Sequence, residues 1–582
     1  MFMTEFLAGA RRAWHVPAAA RHQTARARHR FRGARRALLR SPPLATQPHT
    51  SHEHPSTPMA VPTDATALKN QTVLPRDTNQ ALGIGQFAID FMSGKIGSPD
   101  ASVLERTVMF HTDSVLCGIS AIALNTNAPI ILRAEAAEYP HAKGAPVFGS
   151  TAKVAPEKAI VANSNAVREW DSNGTNFGFN PELGHTAGEF GHNDFYPVAV
   201  AAAQQQGRDG AYALRGMVCL DEIRGRLAEV FSLKTYKIDH VVHGAIASAA
   251  TYGAMMGATA EEIESAIGMT VAHYIPWRAI RAGKQLSDSK GASAAISTEV
   301  AVLSMMRSMR GFMGPRDIFR NPESMFRQFE KTKGDSPFDL VLSHSGSDFA
   351  VMGMHFKLGL YEHQSAGALQ GVLTLLRENP QILEKPDAIK SINIVAYEPA
   401  FGIIGDPAKR DPKTRQSADH SMVYIVGTLL RKAIEMAEST KSTKLGHCDN
   451  CYWKNLMLVP HDYSPEAIFN KKTRALMEKF SFTHGGPEYD RRYPDGIPTS
   501  LVIEMADGTK YDSGLVMYPA GHARNTTADL KGILAKKAEN LGKLASDNPQ
   551  PIIDRFNRIA SLSSAELASL YDFAIANRGK YE

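Results

Sequence analysis

The chain has 582 residues, 43% hydrophobic and 21% charged, with a formal net charge of +6. This balance excludes wholesale disorder, and the length exceeds what one ordinary core fills. Four cysteines exclude a disulfide scaffold, and no apolar run reaches the roughly 18 residues of a membrane-spanning helix.

The positive charge is concentrated at the start. Residues 1–50 hold ten arginines and one acid, Glu5, and so carry +9, whereas residues 77–582 carry −3. A basic leader on a mildly acidic body gives no basic surface for nucleic acid. Arginines spaced among alanines with almost no acids have the composition of a mitochondrial transit peptide, or of a disordered basic tail. Residues 41–75 are rich in Pro, Ser, Thr and His and read as a linker. Residues 1–64 are therefore assigned to transit peptide and linker, and regular structure is expected from Asp77.

From Asp77 to about Met352 the pattern is helical. Leu82–Met92 has helical spacing, Ile238–Gly257 is full of Ala, Gly and Ser, and Thr259 with Glu262 predicts a capping box ahead of Ile263–Val271. β-Branched, period-two runs come later. They are Ser391–Tyr397, then Thr499–Glu504 and Leu515–Tyr518 flanking the turn Asp507-Gly508, a hairpin signal. Thr526–Leu544 and Ser561–Asn577 return to helix. The expected fold is mainly α: a helical domain over 77–352, a smaller α/β lid over 353–523, and helices over 524–582 that complete the helical domain.

No phosphate loop, nucleophile elbow or H-E-x-x-H helix occurs, and Gly83-Ile84-Gly85 lacks the third glycine of a dinucleotide fingerprint. Cys448-Asp449-Asn450-Cys451, beside His447, is a C-x-x-C without the second pair of a zinc ribbon. With Cys117 or Cys219 it could hold an iron–sulfur cluster; otherwise it is two cysteines in a polar loop.

Four groups offer chemistry. Glu169–Thr175 interrupts a helical stretch with polar residues, and a Gly- and Asn-rich loop follows, ending Gly191-His192-Asn193-Asp194. Asp239-His240-Val241-Val242-His243 heads the small-residue helix, where the histidines serve acid/base chemistry or plain packing. Arg278, Arg281, Lys284 and Lys290 form a solvated face or an anion pocket for a polycarboxylate. Phe356-Lys357 and Glu362-His363-Gln364-Ser365 lie near the expected domain junction. Such a set suits removal of a proton next to a carboxylate, which leads to a carbon–oxygen or carbon–carbon lyase.

D-S-N-G-T at Asp171–Thr175, G-H-N-D at Gly191–Asp194, D-H-V-V at Asp239–Val242, S-K-G-A at Ser289–Ala292, F-K at Phe356–Lys357, R-Y-P-D-G-I-P at Arg492–Pro498 and G-H-A-R-N at Gly521–Asn525 together resemble the MmgE/PrpD family. The likeness runs in order over 77–582. It implies the helical domain and lid already described, a homodimer, and chemistry in the cleft between them without metal or cofactor. By motif, Asp171, His192, His240, Lys290, Lys357 and His363 fall at the family's catalytic positions, with His185 an alternative to His192. Thr175, Arg278 and Arg281 are taken as substrate contacts. The implied reaction is loss of water from the tricarboxylate 2-methylcitrate to give 2-methyl-cis-aconitate, in the mitochondrial matrix, with no nucleic acid or stable membrane association. The alternatives are decarboxylation of cis-aconitate, a non-catalytic tricarboxylate-binding helical protein, and a cluster-dependent hydratase.

Overall fold

Among the described residues up to Ser308, nine α-helices form: α1 Gln80–Ser93, α2 Ala101–Ala123, α3 Asn127–Ala137, α4 Pro156–Arg168, α5 Tyr196–Gln205, α6 Gly210–Val230, α7 Val241–Met256, α8 Ala260–His273 and α9 Asp288–Ser308. The computed structural model describes residues 69–281 and 285–581, so the basic leader, most of the linker, and Gly283 and Lys284 of the basic string lie outside it. At the centre stands α7, whose residues are almost all buried. It packs on α6, α8 and α9, and its small side chains permit the close approach: a Cβ on Gly244 would sit 1.9 Å from the Phe195 ring. The Thr259–Glu262 capping box is formed at the start of α8, and left-handed Gly257 ends α7.

The α/β part centres on one mixed sheet. Ile389–Ala396 lies parallel to Phe480–His484 and antiparallel to Thr499–Met505. Alternation puts Ile392, Ile394, Leu501 and Ile503 on one buried face, and helix Ala366–Glu378 packs on the Thr499–Met505 strand. Helix Leu530–Ala545 then returns to lie on α2. The expectation of a mainly helical molecule with a smaller α/β part holds.

Three local expectations are corrected. Regular structure begins before Asp77, with the strand Gln71–Leu74 paired to Leu340–Ser343. The Asp507-Gly508 turn closes at once, so Glu504 pairs with Lys510; the return strand is Lys510–Asp512, and Leu515–Tyr518 contributes only a bridge from Val516 to Thr499. Ser561–Asn577 is not a long helix, since only Ser564–Ala568 is helical. After it the chain passes through turns at 569–573, where Tyr571 and Phe573 pack against Phe556.

Candidate active site

Helix α4 ends at Arg168, and three residues later Asp171 takes a left-handed backbone (φ 49°), which aspartate tolerates better than most residues. This tight exit folds the Asp171 carboxylate back onto the Arg168 guanidinium. Lys357 reaches the same carboxylate and donates to the Asp171 main-chain carbonyl at 2.8 Å. Lys290, in the first turn of α9, lies 3.5 Å from Asp171 Oδ2 and 2.7 Å from Asp419 Oδ1; the His420 ring completes the group, 3.3 Å from Asp171. All are almost wholly buried. Burial alone would raise the Asp171 carboxyl, but Arg168, Lys357 and Lys290 outweigh it and hold the group well below the usual carboxylate range. Its neighbour Lys357 is lowered, because its burial exceeds the help from Asp171.

The backbone of this network is tied from far along the chain. Lys537, on helix Leu530–Ala545, donates to the carbonyls of Ser172 (2.6 Å) and Lys357 (2.8 Å) and pairs with Asp113 on α2 at 2.7 Å.

The opposite bank carries the histidines. Strand Thr175–Asn176 pairs with Gly191–His192, so Thr175 and His192 stand side by side. His192 Nε2 lies 3.1 Å from Arg168 Nη2. A guanidinium only donates, so Nε2 carries the lone pair and the proton sits on Nδ1, which has no partner. His240 caps α7, its ring 5.1 Å from that of His192, and neither of its nitrogens is bonded. Burial drives both imidazoles well below the ordinary histidine range, although Asp239, 3.5 Å from His240 Nδ1, pulls His240 the other way. Asp239 itself is lowered; burial opposes this, but the Arg281 ion pair prevails.

The two banks face one narrow cleft. Arg168, Asp171, Thr175, His192, His240, Arg278 and Arg281 line it, together with Glu362, Lys409 and His420. Two cations there make no ion pair with any described residue: Arg278, whose buried Nη1 has no partner, and half-buried Lys409. Glu362 accepts from the Gln364 N–H, and burial pushes its carboxyl up to about 7 against the pull of Lys357.

The structure thus gathers Asp171, Thr175, His192, His240, Arg278 and Arg281 around one cleft, with Lys290 and Lys357 directly behind Asp171. His363 does not line the cleft. It stacks on His355 (5.1 Å) and packs against the Phe177 ring (5.6 Å), and both its nitrogens are unpartnered. His185 does not line it either, lying 3.3 Å from Glu229. Sequence reasoning missed Arg168, Asp419, His420 and Lys409, and gave Glu362 no role. Asp171, Asp419 and His420 bring three ligand atoms together. The Lys290 ammonium already sits among them, 2.7 Å from Asp419, and a divalent cation would have to displace it.

Comparison with known proteins shows the family of the chain. Residues 86–337 match the MmgE/PrpD N-terminal domain and residues 456–558 the C-terminal domain. Among similar proteins are a 2-methylcitrate dehydratase of Escherichia coli O157:H7, 24% identical over 57% of this chain, and one of Salmonella typhi, 23% identical over 70% of this chain and 83% of that protein. A mitochondrial 2-methylcitrate dehydratase of Yarrowia lipolytica is 25% identical over 62% of this chain and 64% of its own length. The chain spans 63% of the length of the E. coli relative it matches.

Proposed function

Because the chain belongs to the MmgE/PrpD family, we propose that it is a hydro-lyase that removes water from 2-methylcitrate to give 2-methyl-cis-aconitate. The observation that carries this reading is the side-by-side arrangement of two kinds of uncommitted group in one cleft: neutral imidazoles with free nitrogens, and the unpaired cations Arg278 and Lys409.

A tricarboxylate needs cations that are not already neutralised. Arg278 and Lys409 grip two of its carboxylates, the first through a guanidinium fork. Lys290 and Lys357 are committed to Asp171 and Asp419, so they shape the field of the cleft rather than hold substrate. His240 Nε2 or Nδ1 takes the proton from the carbon next to a carboxylate, and Arg278 absorbs the charge that grows there. Substrate negative charge raises the basicity of His240 above its level in the empty cleft. Glu362, raised to about 7 by burial and so in its acid form in about half of the molecules at neutral pH, gives its proton to the departing hydroxyl, which leaves as water. The proton on His240 then returns through solvent to Glu362. His192, fixed by Arg168, donates its Nδ1 proton as a hydrogen bond to substrate.

The arginine-rich leader and the mitochondrial relative support a mitochondrial location. The test is direct. Chelator-treated protein is incubated in parallel with 2-methylcitrate, citrate and cis-aconitate, and products are identified by mass and by ultraviolet absorption of the new double bond. Dehydration of 2-methylcitrate is expected; itaconate from cis-aconitate alone would replace this reading with a decarboxylase, and no turnover of any of them would end it.

A further inference from the structure

One motif plays no part in the cleft. Cys448 occupies the N-cap of the helix Asp449–Leu456 in an extended conformation, and Cys451 lies in that helix's first turn. Their sulfurs are 2.8 Å apart, and both ring nitrogens of His447 lie 3.5 Å from Cys451 Sγ. One nitrogen and two sulfurs therefore fall within 4.8 Å of one another at a half-exposed surface.

The turn that presents them is held from several directions. Asp449 is paired with Arg377 and accepts from Gln370 (3.0 Å) and Thr374 (3.1 Å), while Trp453 donates to Gln370 at 2.8 Å. Gly446 passes so near that a Cβ there would stand 2.7 Å from that of Cys451, so only glycine lets the preceding loop close over the helix and bring His447 across. Cys117 and Cys219 differ in kind: both are fully buried, and burial pushes their thiols up to about 12.

We propose that His447, Cys448 and Cys451 bind one zinc(II)-type ion, with a fourth coordination position open to water. Two thiolates and an imidazole are a donor set for zinc, and three protein ligands with one open position is a recognised coordination. At a Zn–S length of about 2.3 Å the sulfurs stand farther apart than here, and rotation of two half-exposed side chains supplies the difference. The ion clips the loop after helix Met422–Thr440 to the first turn of the next helix and releases thiol protons as it binds. This site is independent of the reaction in the cleft.

The probe is cobalt(II), added anaerobically to the reduced full-length protein. One equivalent per chain is expected to give thiolate-to-metal charge-transfer absorption in the near ultraviolet and tetrahedral bands in the visible. Zinc(II) should bleach both, with proton release measured in weakly buffered solution. Cys448→Ser and Cys451→Ser should each abolish the charge-transfer band with unchanged far-ultraviolet circular dichroism, and His447→Ala should weaken cobalt affinity at least tenfold. Absence of the band in reduced wild-type protein overturns the proposal. So does its persistence in Cys451→Ser.

Discussion

The two banks of the cleft are built on opposite terms. On the Asp171 bank every charge has a partner: Asp171 with Arg168 and Lys357, Lys290 with Asp419, and Arg415 with Glu169. On the facing bank His240 bonds to nothing through its ring, and Arg278 keeps a buried N–H without an acceptor. Buried charges that are satisfied fix a shape, whereas buried polar groups left unsatisfied cost free energy unless a ligand completes them. The difference separates residues that make the site from residues that use it, and each can be tested by breaking one bank at a time.

The largest effect should come from Asp171→Asn. It removes the carboxylate that Arg168 and Lys357 share and that Lys290 approaches, and removing one partner of such a buried cluster costs about 3–5 kcal/mol. Chemical denaturation should record that loss, and dehydration should vanish with it. His240→Gln should behave in the opposite way: unfolding midpoint near the parent, but kcat lower by about 10²–10⁴-fold, the usual contribution of general acid–base catalysis. A parental rate would remove His240 from the chemistry. Glu362→Gln sharpens the comparison through pH. A carboxyl raised to about 7 by burial is the acid form below that pH, so the parental rate should fall as pH rises through 7. The variant should be about 10²-fold slower and lose that limb.

Arg278→Ala should act mainly on binding. A hydrogen bond to a charged group is worth about 1.5–3 kcal/mol, so KM should rise roughly 10–100-fold with thermal stability retained. The smallest effect is on stability near neutrality. His111, His420 and His522 are lowered to about 3 and His243 to about 4, chiefly by burial. Below about pH 6.5 the unfolded chain binds protons at these positions and the folded chain does not. Stability from their neutral burial is therefore present above that pH and lost progressively as pH falls toward 3–4. Equilibrium denaturation at pH 7, 6 and 5 should give a steadily decreasing free energy of unfolding.

How much of this was legible in the sequence follows from distance along the chain. Asp171, Thr175, His192 and His240 stand in short polar breaks beside helix ends, and such breaks announce themselves in composition. Arg168 was hidden because it reads as the last turn of an ordinary helix; only the left-handed step at Asp171 turns the two toward each other. Asp419 and His420 meet Lys290 from about 130 residues away, and no periodicity reports that contact. His363 stood in a motif at the right place in the chain, yet its ring packs with those of His355 and Phe177 and does not line the cleft. The same limit applies to the fold. Runs governed by local rules, such as the Thr259 capping box and the Ile389–Ala396 strand, were plain, whereas the helix expected over Ser561–Asn577 stops at Ala568 and gives way to turns whose rings pack on Phe556.

Lys537 carries a consequence for the order in which the site forms. Its ammonium reaches two main-chain carbonyls and one carboxylate, and so uses all three of its N–H donors. The carbonyls belong to Ser172 and Lys357, the segments that carry Asp171 and its lysine. Until the helix bearing Lys537 docks on α2, no other ammonium makes these ties, so the last long helix of the chain fastens a site whose other parts come from far earlier in the sequence.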